Sequence, residues 1–277
     1  MQELGTFFQN NSLRHDIIVA RPFIFEQVTR CVFYRQSTFP ERMALIMEHF
    51  LFFEDKFTQE ALRSMYIGEG IMLWSSDYPG ERVLLSLHFG GGQRKEGLMG
   101  ISFRVGERTI YQINFWVAPD DNGESVLKIG ALQGPPGGLD ILRDLTKQFF
   151  GYRPKNLILH ALCTVAQHLG LERMFGVSNY GFYANNHIRF DRKLKTSLDE
   201  FWQETGGKKY SDPRFFELPI VEPRKSLDEV ESQKRNVYRK RFAVIDAIDT
   251  TIKQSLELYL KKQEQTVNLK ILFGTII

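Results

Sequence analysis

The sequence predicts a mixed α/β fold: a helical N-terminal region, an antiparallel meander joined to one parallel strand, and a long C-terminal helix. Three observations carry this. Apolar spacing is helical up to about residue 73 and takes the shorter period of strands from residue 82. Hairpin-length turns separate the next four apolar segments. One long connection, running from residue 133 to 171, then leads to a further short apolar strand, and a crossover of that length makes a parallel pair.

Residues 20–73 are expected to form three or four short helices rich in Phe and Met. Pro22 suits a helix start, Pro40 interrupts the run before Glu41 to Phe53, and a piece at 58–66 ends near Gly68 and Gly70. Strands are expected at 82–89, 97–105, 109–117 and 125–132. The third alternates with one slip, through Ile110 and Ile113 to Phe115 and Val117. Turns near residue 91, at 105–108 and at 120–123 join them. Gln-Gly-Pro-Pro-Gly-Gly follows at 133–138, then a helix over 139–150 and a second from Pro154, with Ile158, Ala161, Leu162, Val165 and Leu169 as its buried stripe. A strand at 172–178, a polar aromatic loop at 180–197, a short helix at 199–204, a strand at 215–221 and a helix from 226 to about 262 complete the order. The apolar tail 267–277 is given no role. The chain thus divides into a helical region 1–75 packed on the sheet, an α/β core 76–225 and a C-terminal region 226–277.

Of 277 residues, 43% are hydrophobic and 25% charged, so a sizeable core needs neither metal nor disulfide. Cys31 and Cys163 set no framework, and no CxxC or His/Cys cluster has zinc spacing, so no metal is expected and a reducing compartment fits. The first residues lack a basic stretch followed by an apolar run, and no window approaches the ~20 apolar residues of a membrane span. A cytoplasmic location is expected, with peripheral contact at the inner membrane left open. The net charge of +3 is slight, but residues 234–241 read KRNVYRKR, five basic residues in eight. Lys234, Arg235, Arg239 and Arg241 there are either a solvated helix face or an anion-binding patch for RNA or acidic lipid.

Chemistry is sought first in the glycine turn. A strand ending in glycines and feeding a helix presents backbone N–H groups to an anion, although Pro135 and Pro136 each lack a donor. The turn is either a rigid structural link or a cradle formed by Gln133, Gly134, Gly137 and Gly138. Arg153 and Lys155 flank the next helix start, as surface charge or as a second anion contact. Glu96 opens a strand and could take a proton from an amine. Ser178 and Asn179 end the parallel strand, where ligands of α/β sheets gather, and His187 sits free in a loop. His160 and His168, about 12 Å apart at ~1.5 Å per residue, are too far apart for one metal and are expected to be partly exposed.

Gln133 and Gly138 fit the acyl-CoA loop Gln/Arg-x-x-Gly-x-Gly/Ala of the GNAT acetyltransferases, with Pro136 standing where the first glycine belongs. The order of meander, glycine turn, crossover helix, parallel strand, late helix and late strand is also similar to the GNAT order. The resemblance implies a GNAT-like sheet whose two central strands splay around an acyl donor. The chain further resembles the VirK/YbjX family of bacterial proteins. The motifs are Lys-Glu-Gly at 95–97, Leu-Gln-Gly at 132–134, Gly-Tyr-Arg-Pro-Lys at 151–155, Gly-Val-Ser-Asn at 176–179, Phe-Trp-Gln-Glu-Thr-Gly-Gly at 201–207, Phe-Glu-Leu-Pro at 216–219 and the basic run at 234–241. That resemblance implies a setting of virulence, envelope remodelling and resistance to cationic antimicrobial peptides, and no shared reaction.

Two functions follow as expectations. One is an acyl- or aminoacyl-transferase whose donor is acyl-CoA, acyl carrier protein or aminoacyl-tRNA, with the turn, Arg153 and Lys155 holding it and Glu96 serving an amine acceptor. The other is a non-enzymatic binder that meets tRNA or an anionic membrane through 234–241. A water-filled cleft between strands that splay at Leu132 and Val177 would favour the first, and a flat, closed sheet with all basic residues on one outer face the second.

Overall fold

The computed structural model describes residues 1–90, 95–134, 139–186 and 197–262. Five helices come first: α1 (Gln2–Gln9), α2 (Ser12–Ala20), α3 (Phe23–Thr29), α4 (Phe39–Lys56) and α5 (Gln59–Tyr66). Side-chain caps set three of the starts. Asn11 accepts from the Arg14 N–H, Thr58 from Ala61, and Thr38 forms a capping box with Glu41. Pro40 falls in the first turn of α4, where a missing N–H costs nothing, so it opens the helix instead of interrupting it.

The meander has one strand more than expected. β1 (Ile71–Tyr78) precedes β2 (Glu81–His88), β3 (Met99–Val105), β4 (Arg108–Pro119) and β5 (Ser125–Gln133), each antiparallel to the next. A register shift between Met72 and Trp74 breaks the alternation of β1 and hides it in the sequence. The slip at Ile110 is likewise a bulge, since Phe103 pairs with Tyr111 but Arg104 with Thr109. Next come α6 (Leu139–Gln148), α7 (Pro154–His168), β6 (Met174–Val177), α8 (Leu198–Glu204), the two-residue β7 (Lys208–Lys209), β8 (Phe215–Leu218) and α9 (Arg235–Glu257). Pro219 stops β8 three residues short of expectation. α9 starts nine residues after the expected 226, because Ser226 caps only a single 3-10 turn, Leu227–Glu229, and a second such turn, Ser232–Lys234, leads in.

Among the described residues, eight strands form one mixed sheet in the order β1-β2-β3-β4-β5-β6-β8-β7, with β5 and β6 its parallel pair. The antiparallel meander, the parallel strand, the helical N-terminal region and the long C-terminal helix are as the sequence predicts. One face is apolar through Val83, Leu85, Leu87, Ile101, Phe103, Val105 and Ile113, all fully buried. Phe149, after α6, packs on Trp74 and Phe103 of that face, and α7 and α9 cover it with Leu157, Ile158, Ile248 and Ile252. On the other face the segment after α3 covers Trp116 with Phe33 and Tyr34.

The parallel pairing is short. Leu127, Lys128 and Ile129 pair with Met174, Phe175 and Gly176. Beyond these, β5 continues to Gln133 against β4, while β6 continues to Val177 against β8. The two central strands therefore part after Ile129 and Gly176.

Candidate functional site

The point of parting is built on glycine. Gly130 is the extra residue of a bulge in β5, since Asn114 pairs with Ala131 and Phe115 with Ile129. A Cβ on Gly130 would lie 1.9 Å from the Glu96 carbonyl oxygen and 3.0 Å from the Trp116 ring. A Cβ on Gly97 would meet the Phe115 backbone at 2.7 Å. The absent side chains let residues 95–97 lie flat on the sheet. The segment is held there by a Gln27 amide donating to the Gly97 carbonyl (3.2 Å) and the Phe33 N–H donating to the Lys95 carbonyl (2.8 Å).

This seating buries Glu96 to 4% exposure. The Gln133 side-chain amide donates to both of its carboxyl oxygens at 2.7 Å. Burial raises the Glu96 pKa to about 7, opposed by the Gln133 hydrogen bond and the charge of Lys95. Glu96 and Gln133, 37 positions apart and identified separately in the sequence, are thus one unit. Gly134 lies against the Tyr111 ring, and Arg153 is close enough to offset part of the burial that raises the Tyr111 phenol. Gln133 and Gly134 thus lie at the C-terminal end of β5, while Tyr111, next to Gln112 on β4, is on the face opposite the Gln133 side chain. Gly137, Gly138 and His187 lie outside the described residues, as do Pro135, Pro136 and the tail 267–277.

The remaining candidates have internal partners. Arg153 sits at the start of α7 and donates to Asn156 and, at 2.8 Å, to the Glu204 carboxylate of α8. The Lys155 ammonium lies 3.8 Å over the Phe201 ring. The charges expected to attract an external anion are therefore met from α8. The Ser178 hydroxyl donates to the Pro213 carbonyl and accepts from the Gly181 N–H. The Asn179 side chain accepts from the Leu198 N–H and donates to Ser197, and its backbone N–H donates to the Asp199 carboxylate, bracing the start of α8. Both serve the chain as supports. In the basic run, Lys234 pairs with Glu231, the Arg235 guanidinium donates to the Val230 carbonyl, and Arg241 donates to the Phe150 carbonyl and lies 4.3 Å over the Tyr238 ring. Arg239 is exposed.

One cluster escapes a reading of the sequence. His160 is buried, not partly exposed, and lies between Asp249 (2.7 Å to Nε2) and Glu222 (2.9 Å from Nδ1, off the N–H axis and so an ion pair without an aligned hydrogen bond). Tyr152 donates to Glu222, Thr164 to Asp249, and Arg224 reaches Asp249 at 3.5 Å. Burial pushes the imidazole down, but its bond to Asp249 and the charge of Glu222 outweigh this and lift it to about 9. A cavity of about 300 Å³ adjoins it, lined also by Gln167 and Lys253. An imidazolium at neutral pH cannot accept a proton, so the cluster ties α7, the segment after β8 and α9 together instead of acting as a base. No local motif announces it, because Glu222 and Asp249 lie 62 and 89 positions further on. Among the described residues no group of three or more His, Cys, Asp or Glu is placed to hold a metal ion, and no helix is long and apolar enough to cross a membrane.

A family model described as a protein of unknown function (DUF535) matches residues 1–254. The chain is 31% identical over 175 residues to the uncharacterized protein YbjX of Escherichia coli (strain K12), covering 61% of this chain and 52% of that one. Two uncharacterized proteins of Haemophilus influenzae are similar as well. One is 26% identical over 218 residues, covering 77% of this chain and 71% of its own, and the other 30% over 140 residues, covering 49% and 45%. The chain thus spans about half the length of YbjX and of the second Haemophilus protein. Among solved structures, a protein of unknown function, AQ1966 from Aquifex aeolicus VF5, matches 66% of this chain and 93% of its own at 11% identity with a TM-score of 0.22.

Proposed function

This chain belongs to the DUF535 family, the VirK/YbjX proteins that its motifs resemble, and we propose that it is a GNAT-like acyl- or aminoacyl-transferase. The observation that carries the reading is the Glu96–Gln133 pair at the place where β5 and β6 part. A donor thioester or aminoacyl ester lies along the edge of β5 beyond Ile129, which β6 leaves without a strand partner among the described residues. Glu96, with a pKa near the operating pH, takes the proton from an acceptor amine, and Gln133 orients its carboxylate. The setting implied by the resemblance, envelope modification and resistance to antimicrobial peptides, fits an amine acceptor from the cell envelope. The alternative, a binder acting through residues 234–241, has less support, because Lys234, Arg235 and Arg241 are engaged within the chain.

Calorimetry of the full chain with acetyl-CoA, longer acyl-CoAs, acyl carrier protein and aminoacyl-tRNA tests this reading. One donor class is expected to bind, and Glu96→Gln to bind it as well as wild type while transfer falls by roughly 10²–10⁴-fold, the range of a lost general base. Binding of none of the four would overturn the reading.

A further inference from the structure

The cavity of about 300 Å³ beside His160 opens where three segments meet, on the side of the sheet opposite Glu96. α7 supplies His160, Thr164 and Gln167, which share one face of the helix at spacings of four and three residues. α9 supplies Asp249 and Lys253, one turn apart, and the segment after β8 supplies Glu222 and Arg224. These walls are tied to one another. The Gln167 amide donates to the Ile220 carbonyl at 2.9 Å and pins the segment after β8 to α7, while Arg224 pins it to α9 through Asp246 and Asp249. The cavity is therefore preformed, and its volume is at the lower end of the ~300–1,000 Å³ of small-molecule sites. A purely structural ion-pair cluster would gain by closing over this space, since interiors pack densely and a buried ion pair is by itself weak support for stability.

Its polar groups are not evenly matched. Glu222 is met by His160 and Tyr152, and Asp249 by His160, Thr164 and Arg224. Lys253 is exposed and has no ion pair, hydrogen bond or ring contact among the described residues. The lining thus carries three cations, His160, Arg224 and Lys253, against two carboxylates that are already satisfied. Two acceptors are also left over. The Gln167 amide nitrogen is bonded and its oxygen is not, and the Thr164 hydroxyl donates to Asp249 but keeps a lone pair.

We propose that this cavity is a second ligand site, separate from the Glu96 site, and that it takes a small hydroxylated organic anion, its phosphate or carboxylate at Lys253 and Arg224 and its hydroxyl groups at Gln167 and Thr164. Such a ligand bridges α7 and α9, and the proposal does not depend on the transferase reading.

The test is calorimetry of the full chain with glycerol 3-phosphate, glycerate, inorganic phosphate and glycerol, the first two separating phosphate from carboxylate on one hydroxylated body. One of those two is expected to bind at least about tenfold more tightly than inorganic phosphate, and glycerol not to bind. Lys253→Ala should weaken the bound anion by about tenfold or more, the loss of a charge-assisted hydrogen bond, and Lys253→Arg should keep most of the affinity. Arg239→Ala, exposed on the same helix and roughly 21 Å away at ~1.5 Å per residue, should leave it unchanged. Followed by NMR, the same titration should move the His160 imidazole signals and leave in place those of His15, exposed on α2. Binding of none of the four, a Lys253→Ala chain that binds as wild type does, or binding that leaves His160 unmoved overturns the proposal. Inorganic phosphate binding as tightly as both polyol anions overturns the hydroxylated ligand and leaves a site for the bare ion. No acyl donor is present in any arm, so this outcome and that of the transferase reading are read separately.

Discussion

A carboxyl group with one amide beside it in a buried place is costly to ionise, and Glu96 is in that position. Its folded pKa of about 7 lies above the ordinary 4.5. The fold therefore favours the protonated form, and wild-type stability falls as pH rises from 4.5 through 7. Glu96→Gln keeps a hydrogen-bonding partner for Gln133 but has no charge to strand. It should be more stable than wild type at pH 8 by on the order of 3 kcal/mol, and nearly equal to it at pH 4. Urea unfolding at the two pH values checks this, and an unchanged difference between them would mean that Glu96 is hydrated. Stability gained on removing a carboxylate is what a residue kept for chemistry would show. Both members of the pair were legible in the sequence as residue types at suggestive places. Their contact was not, because it depends on the bulge at Gly130, and a single glycine in a strand gives no sign of which backbone will lie upon it.

Elements were more legible than contacts. The meander showed through its period and turns, and α7 through Pro154 and its apolar stripe, since both signals are local. The bulge in β1 hides its alternation, and Ser226 marks a helix start that is only a single turn, nine residues before α9. The basic run at 234–241 shows in the sequence only as charge, yet Arg241 has a structural task. Phe150 and Gly151 join α6 to α7 in left-handed conformations (φ 52° and 82°), and the Arg241 guanidinium holds the Phe150 carbonyl at 3.0 Å. Arg241→Ala should destabilise the protein by about 1.5–3 kcal/mol, the range for a hydrogen bond from a charged group. Arg239→Ala, exposed on the same helix, should stay within ~0.5 kcal/mol. Denaturant midpoints of the two variants decide; equal effects would return the whole run to a solvated surface.

Across the whole molecule, His160 joins three segments that the sequence keeps far apart. Its folded pKa of about 9 exceeds the ordinary 6.5, so its contribution is complete below pH 6.5 and is lost as pH rises through 9. Between pH 6 and pH 10 wild type should lose on the order of 2–3 kcal/mol that a His160→Gln variant does not lose. Melting curves of both proteins at the two pH values measure it, and parallel pH profiles would show that the ion pairs contribute nothing. The sheet, finally, is two sets of strands, β1–β5 and β6–β8, sharing a spine of three residue pairs. Arg173 rivets one end of that spine, with Asp120 of the β4–β5 turn at 2.6 Å and Glu217 of β8 at 3.1 Å. The gap is accordingly closed at Leu127, where the rivet sits, and open towards Gln133 and Val177, as a pair of tongs is closed at its pivot and open at its jaws.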